Sequence, residues 1–337
     1  MIYKIINFIL SKKDHEEKKD LLLKIMKFFN KTPLNFLIKN KFPNNNISCM
    51  GLNFKNILGL AAGLDKNGDY IKLFSDIGFG FIELGTVTLK PQHGEKKPRL
   101  FCFPNVYGII NRMGFNNNGI ENLIENIKNE KNVKSILGIN IGKNKDTLIE
   151  KAKDDYLICI NKAYYYSDYI SINISSPNTK DLRKLQFGEL FSDLLKSIKE
   201  EQNKLNKIYN KYVPILIKIS PDINNSEIIQ ISDCLLSYNI DGVIATNTTV
   251  NKDIIMRCCN NCEKGGLSGA PLNENSTRII KKLSKELKGK IPIIGSGGII
   301  SVKSAKEKIK AGASLIQIYS GLVFFGLKII KKLIKSF

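Results

Sequence analysis

The stretch Tyr169-Ile170-Ser171-Ile172-Asn173-Ile174-Ser175-Ser176-Pro177-Asn178-Thr179 begins as a strand and ends as a polar turn. Ile170, Ile172 and Ile174 alternate with Ser171, Asn173 and Ser175, the period of two that an extended strand imposes. Pro177 has no N–H to give a ladder, so pairing stops there. Alone, this is an ordinary strand end followed by an Asn/Pro turn. The same design recurs along the chain, and the recurrence decides the fold.

Apolar runs ending in polar or Gly-rich turns occupy 57–63, 79–86, 135–142, 168–175, 214–220, 242–247, 292–298 and 315–321. Helical stretches at 147–163, 189–209, 226–238, 275–288 and 302–311 lie between them. Eight alternations predict an α/β fold, a (β/α)8 TIM barrel, within the 337 residues. A doubly wound sheet would carry its Gly-rich loop after the first strand. Here the densest cluster, Gly295-Ser296-Gly297-Gly298, ends the seventh run. Insertions at about 87–134 and 248–273 follow strands, so both are expected over the active-site end.

Residues 1–41 read as a separate two-helix extension, and 42–337 as the barrel domain. Ile2, Ile5, Ile6 and Ile9 form one helical stripe; Leu22, Ile25, Met26 and Phe29 form another. Over residues 1–50, ten lysines stand against four acids. Helices with an apolar face and many lysines suit the surface of an anionic bilayer. The alternative is a helical pair packed on its own domain. No run reaches the ~20 apolar residues of a spanning helix, and no cleavage site follows the short apolar start.

The net charge of +21 raises the question of nucleic acid. Its source is almost entirely Lys, spread along the chain, with Arg only at 99, 112, 183, 257 and 278. Trp is absent, whereas base readers favour Arg and aromatic platforms, so no nucleic-acid partner is expected. Seven cysteines make an odd number and imply no disulfide framework. Cys258, Cys259 and Cys262 read as a loop feature, since one CxxC without further ligands does not make a zinc site. No metal is expected.

Three strands carry polar residues at inward positions. In Ile215-Leu216-Ile217-Lys218-Ile219, isoleucines facing the helices turn Lys218 inward. The same alternation turns Asn140 and Asn173 inward, which predicts one polar layer at the carboxyl end of the barrel. Gly295–Gly298 and Tyr319-Ser320-Gly321 end the seventh and eighth runs, where barrels hold phosphate on bare N–H groups. The residues thus imply a phosphate-bearing ligand beside an internal lysine, and leave open whether it is cofactor or substrate.

Longer motifs carry a resemblance. They are Gly59-Leu60-Ala61-Ala62-Gly63-Leu64-Asp65-Lys66-Asn67, Asn111-Arg112-Met113-Gly114-Phe115-Asn116, Gly138–Asn144, Asn173–Thr179, Ala245–Thr249, Gly265–Gly269, Gly295–Gly298 and Gln317–Gly321. Together they resemble the dihydroorotate dehydrogenases over essentially the whole chain. The helical extension, and Ser176 where soluble classes have Cys, are similar to the membrane-associated, quinone-reducing class.

The resemblance implies FMN as cofactor and oxidation of dihydroorotate to orotate in pyrimidine biosynthesis, with a membrane quinone as acceptor. A related flavin barrel acting on another pyrimidine or acceptor is the alternative. It implies Ala62, Gly63, Lys66, Thr86, Asn140, Asn173, Lys218, Thr246, Gly269, Gly298, Tyr319 and Ser320 as cofactor residues. It implies Lys66, Asn111, Arg112, Met113, Gly114, Phe115, Asn173, Asn178, Asn247 and Thr248 as substrate residues, and Ser176 as catalytic base. Asn side chains suit a ring edge of carbonyls and N–H groups, because they both donate and accept. The resemblance further implies a monomer bound peripherally to the cell membrane, on its cytoplasmic side, through residues 1–41. The chain departs from the family where Cys102 stands for an Arg, where Lys19 stands near a usual His, and where Lys180-Asp181 stand for Pro-Gly. The first two positions belong to the family's quinone site.

Overall fold

Each apolar run forms a strand, slightly shorter than its hydrophobic span. The strands are β1 (Leu58–Leu60), β2 (Phe81–Val87), β3 (Ile136–Ile141), β4 (Tyr169–Asn173), β5 (Ile215–Ile219), β6 (Gly242–Ala245), β7 (Ile293–Ser296) and β8 (Leu315–Ile318). In this computed structural model, which describes residues 14–40, 42, 45–259 and 262–337, they close in chain order into one parallel barrel. β8 pairs with β1 and β5 with β6, so no edge stays open. Nearly every strand residue is buried, as expected of strands with helices outside and packed side chains inside.

The lower half of the barrel is filled by aromatic rings. Phe81 packs edge-on against Phe54 (centroids 5.3 Å apart) and Tyr169 (6.3 Å). Gly138 makes the room for this: a Cβ there would lie 2.0 Å from the Tyr169 ring. Phe54 comes from an antiparallel hairpin, Ile47–Cys49 with Leu52–Phe54, ahead of the barrel.

The two insertions meet. Gly108–Asn111 pairs on one side with Leu100–Phe103 and on the other with Gly266–Gly269. One three-stranded antiparallel sheet therefore joins the segments after β2 and β6. The first insertion ends earlier than its sequence implied, because Gly119–Asn129 is a regular helix of the barrel layer. Cys259 and Cys262 are joined across one tight turn, a local link and not a disulfide framework. It closes a loop of a few residues and so constrains little beyond that turn.

Helix α1 (His15–Asn30) is started by Asp14, whose carboxylate accepts from Glu17 N at 2.8 Å. A short 3-10 turn, Pro33–Leu37, follows it. The stripe on Ile2, Ile5, Ile6 and Ile9 lies outside the described residues. α1 docks by a mixed face, with Leu23 buried between Glu16 and Asn30. Glu16 is buried and takes two hydrogen bonds, 2.7 and 2.8 Å, from Arg99 of the first insertion. Burial raises the Glu16 pKa, but the Arg99 guanidinium outweighs it, so the net shift is downward. Asn30, at the other end, donates to Asp76 at 3.1 Å. Leu23 is buried in the core and Met26 packs against it, while Leu22 (57% exposed) and Phe28 (66%) look outward. Among the described residues no helix is long and apolar enough to cross a membrane.

Candidate active site

The strand ends surround a cavity of about 1000 Å³, its open mouth included. Its floor is a polar network built from inward strand positions. Lys218 Nζ lies 3.1 Å from Glu83 Oε1 in a pair almost closed to water. Asn140 Nδ2 donates to the same oxygen at 2.9 Å, and Gln317 Nε2 to the other at 2.7 Å. Asn173 Nδ2 donates to Thr86 Oγ1 at 2.9 Å and to Asn140 Oδ1 at 3.3 Å. Glu83 is thus the centre of the floor. The sequence reading missed it, although a Glu between Ile82 and Leu84 in a buried run was the available signal.

Ser176 sits at the cavity wall, buried, with Asn178 N donating to its Oγ at 3.3 Å. No carboxylate or imidazole among the described residues is hydrogen-bonded to that oxygen. The turn carrying it is held by Arg183, which also escaped the sequence reading. Arg183 donates to the Ser175 carbonyl (3.1 Å), to Asp222 (2.9 Å) and to the Thr248 carbonyl (3.0 Å). One guanidinium therefore ties together the turns after β4, β5 and β6. Asp181, where the resemblance expects Gly, keeps a left-handed backbone at φ 57°. Asp tolerates that region better than most residues, and its carboxylate pairs with Lys184 at 2.9 Å.

The amide side chains converge over this turn. Asn178 Nδ2 donates to Asn111 Oδ1 at 3.3 Å, and Asn247 Nδ2 to Asn173 Oδ1 at 3.1 Å. Asn111, Met113, Gly114, Phe115, Asn173, Asn178, Asn247 and Thr248 all border the cavity. So does Lys66, from the turn after β1. Loss of water, and then the nearby cations Lys19 and Arg99, lower its pKa to about 7, against a smaller pull upward from Glu16. Two expected residues do not reach the cavity. Arg112 turns away, bonding Glu263 at 2.6 Å and lying over the Phe101 ring. Asn140 is fully buried beneath Asn173 and Thr86, so it supports the wall without forming it.

Ala62, Gly63, Thr86, Thr246, Gly269, Gly298, Tyr319 and Ser320 border the remaining cavity, with Lys218 at its floor. At one end, Gly269, Gly297 and Gly298 have φ of 96°, 100° and 78°. A Cβ on Gly298 would meet Asn273 Cα at 2.3 Å, so only glycine fits there. The helix Asn273–Leu287 begins behind these glycines with no side-chain cap. Ser268, from the second insertion, joins Ser320 at 2.9 Å across the same end. In the floor, Gln317 Oε1 is buried without a partner among the described residues. A ligand with an anionic phosphate at one end and N–H groups on a ring at the other matches these features. A phosphorylated flavin has that character.

The segment facing α1 is different. Lys19 is mostly buried, and it keeps a raised pKa although burial works against it, because Tyr319, Asp20 and Glu16 favour its charge. Burial raises the Cys102 pKa to about 11, which keeps it a thiol.

Comparison with known proteins gives one answer. The family model described as dihydroorotate dehydrogenase matches residues 45–337. Proteins named dihydroorotate dehydrogenase (quinone) from Serratia proteamaculans and Yersinia enterocolitica are each 54% identical over 335 residues, covering 99% of both chains. Among solved structures, DHODH of Eimeria tenella in complex with ferulenol superposes with a TM-score of 0.88 at 32% identity, covering 98% of this chain and 93% of that one. The ligand-free form gives 0.83 at 33% identity, covering 94% and 93%.

Proposed function

The chain belongs to the quinone-dependent dihydroorotate dehydrogenases and oxidises dihydroorotate to orotate in pyrimidine biosynthesis, and we propose that its flavin is FMN and that Ser176 is the base. The observation that carries this reading is the meeting, in one cavity, of Ser176, four Asn side chains, the Lys218–Glu83 floor and the glycine end.

The residues divide the work as follows. Lys66 meets the substrate carboxylate, and Asn111, Asn178 and Asn247 hold the ring amides. Asn173 spans both ligands from the wall between them. Ser176 Oγ takes the proton from the carbon beside a ring carbonyl. When bound, FMN would supply the hydride-accepting chemistry at the neighbouring carbon and the redox link to quinone. Lys218, held 3.1 Å from Glu83, favours negative charge above the floor. Gly269, Gly298, Tyr319 and Ser320 hold the phosphate. A serine hydroxyl is a weak base, so the proton leaves Oγ through a relay, and the mouth above Asn178 is its way out.

The extension, residues 1–41, serves the quinone half-reaction. Peripheral contact with lipid is supported by the outward Leu22, Ile25, Phe28, Phe29, Leu34 and Phe36, and by the lysines among them. Lys19 and Cys102 face the path a quinone would take and replace the family's usual donors, so its headgroup is gripped differently here.

Rapid mixing of the purified protein with dihydroorotate tests the reading. The flavin absorbance bleaches, and it returns on adding a quinone. A protein that carries flavin but is not bleached by dihydroorotate would overturn the assignment.

A further inference from the structure

Lys308 lies outside every motif above, yet it is fully buried. It stands on helix Val302–Lys310, which follows β7. Its ammonium reaches under the first turn of helix Asn273–Leu287 and donates to Asn273 O (2.8 Å), Ser276 Oγ (2.6 Å) and Thr277 Oγ1. Both hydroxyls direct their own protons to carbonyls. Ser276 Oγ lies 2.8 Å from Gly297 O, and Thr277 Oγ1 lies 2.7 Å from Asn273 O. They can therefore only accept from Nζ. Three acceptors require three N–H donors, which only the charged ammonium has.

Among the described residues that charge has no ion-pair partner within reach. The carboxylate that acts on it is Glu307, and Glu307 Oε2 is engaged by Asn273 Nδ2 at 2.7 Å. Strands β7 and β8 bring no charged residue; on the facing helix Glu274, Arg278, Lys281 and Lys285 are exposed and Lys282 and Glu286 half-buried. Lys328, Lys331 and Lys332 of the packed helix Leu327–Ile334 are exposed, as are Lys303, Lys306 and Lys310 of the helix that carries Lys308. A buried cation thus stands at the positive end of a helix dipole, where cations are disfavoured. An anion is needed on the other side of that turn. Gly297 and Gly298 lie there, and two hydrogen bonds, 2.6 and 2.8 Å, separate Nζ from the Gly297 carbonyl.

We propose that Lys308 is a positioning residue for the cofactor phosphate, acting through the Ser276–Gly297 link and the first turn of helix Asn273–Leu287. It touches no ligand. It stiffens the glycine loop and adds a positive field that selects a phosphate dianion. The proposal rests on the FMN reading. Burial lowers the Lys308 pKa to about 7 in the protein alone, despite an upward pull from Glu307. A bound dianion raises it again, so phosphate binding and protonation of Lys308 support each other.

Affinities of the flavin-stripped full-length protein for FMN and for riboflavin test this. Lys308→Met should weaken FMN roughly 10- to 100-fold while leaving riboflavin within about twofold, since riboflavin has no phosphate for the lysine to act on. Equal weakening of both flavins would mean a purely structural lysine and would overturn the proposal, as would no change in either. The native protein gives a second test that needs no variant. The phosphate is already a dianion above pH 7, so the preference for FMN over riboflavin should fall between pH 7 and pH 9 as Lys308 loses its proton in the free protein. A flat preference overturns the proposal even where the variant does not fold. Failure to bind either flavin overturns the cofactor reading itself, which separates the two.

Discussion

The barrel mouth and helix α1 sort their side chains in opposite directions. In the barrel, Lys218, Glu83 and Asn173 point inward and are satisfied by one another, while isoleucines of the same strands pack under the helices. In α1, Glu16 and Asn30 point inward to Arg99 and Asp76, while Leu22, Ile25 and Phe28 face out. The barrel keeps its polar residues in its interior, beneath the cavity. α1 is tied down by the buried Leu23 and a few polar bonds, and leaves Leu22, Ile25 and Phe28 uncovered. Chemistry and anchoring are therefore separable, and variants on one side should leave the other intact.

Ser176→Ala should have the largest effect. Removing a positioned base typically costs 10²- to 10⁴-fold in rate, read here as flavin bleaching by dihydroorotate in stopped flow. Ser176→Cys keeps more activity, because a thiol with a free pKa of ~8.5 is the better base. Lipid binding of both variants is unchanged. Bleaching of the Ala variant at the native rate would remove Ser176 from the mechanism.

Lys218→Ala leaves Glu83 buried and without its cation. Breaking such a pair typically costs about 3 to 5 kcal/mol, to be read in urea unfolding, and flavin retention falls with it. The double change Glu83→Gln with Lys218→Met recovers much of the stability but not the rate of flavin reduction. If it recovers both, the pair only holds the fold.

Leu22→Ser with Phe28→Ser probes the other side of the comparison. Each side chain buried in lipid contributes about 1.5 to 3 kcal/mol. Since both are only partly exposed, sedimentation with anionic vesicles should weaken roughly 10- to 100-fold, with bleaching by dihydroorotate unaltered. Slower reoxidation by long-chain but not short-chain quinones would sharpen the division. Unchanged vesicle binding would mean that another surface meets the membrane.

The smallest effect is a pH dependence. Lys66 has a pKa lowered to about 7, and a bound carboxylate raises it. Above pH 7 the free protein has lost this proton and binding must take one up. The orotate Kd should therefore rise with pH from about 7, by at most tenfold per unit, and Lys66→Gln should flatten the profile. A native Kd constant from pH 6.5 to 8.5 would detach Lys66 from the carboxylate.

Local pattern was enough for much of this. A period of two followed by Gly, Asn or Pro marks each strand and its end, because alternation and turn chemistry are properties of a few neighbouring residues. The same alternation turned Lys218 and Asn173 inward before any neighbour was known. The fold closed other contacts over long stretches of chain, and no local pattern encodes those. Glu83 acquires its meaning from a lysine 135 positions away. Arg183 ties three turns that are near one another only in the closed barrel. Alternation also turns Asn140 inward, but Asn173 and Thr86 cover it, and Arg112 is drawn off by Glu263 of the second insertion. For α1, periodicity reveals a stripe but not which face will be covered. That was decided 83 positions away, where Arg99 offered Glu16 a buried partner on the same face as Leu23 and left Leu22, Ile25, Phe28 and Phe29 to the outside.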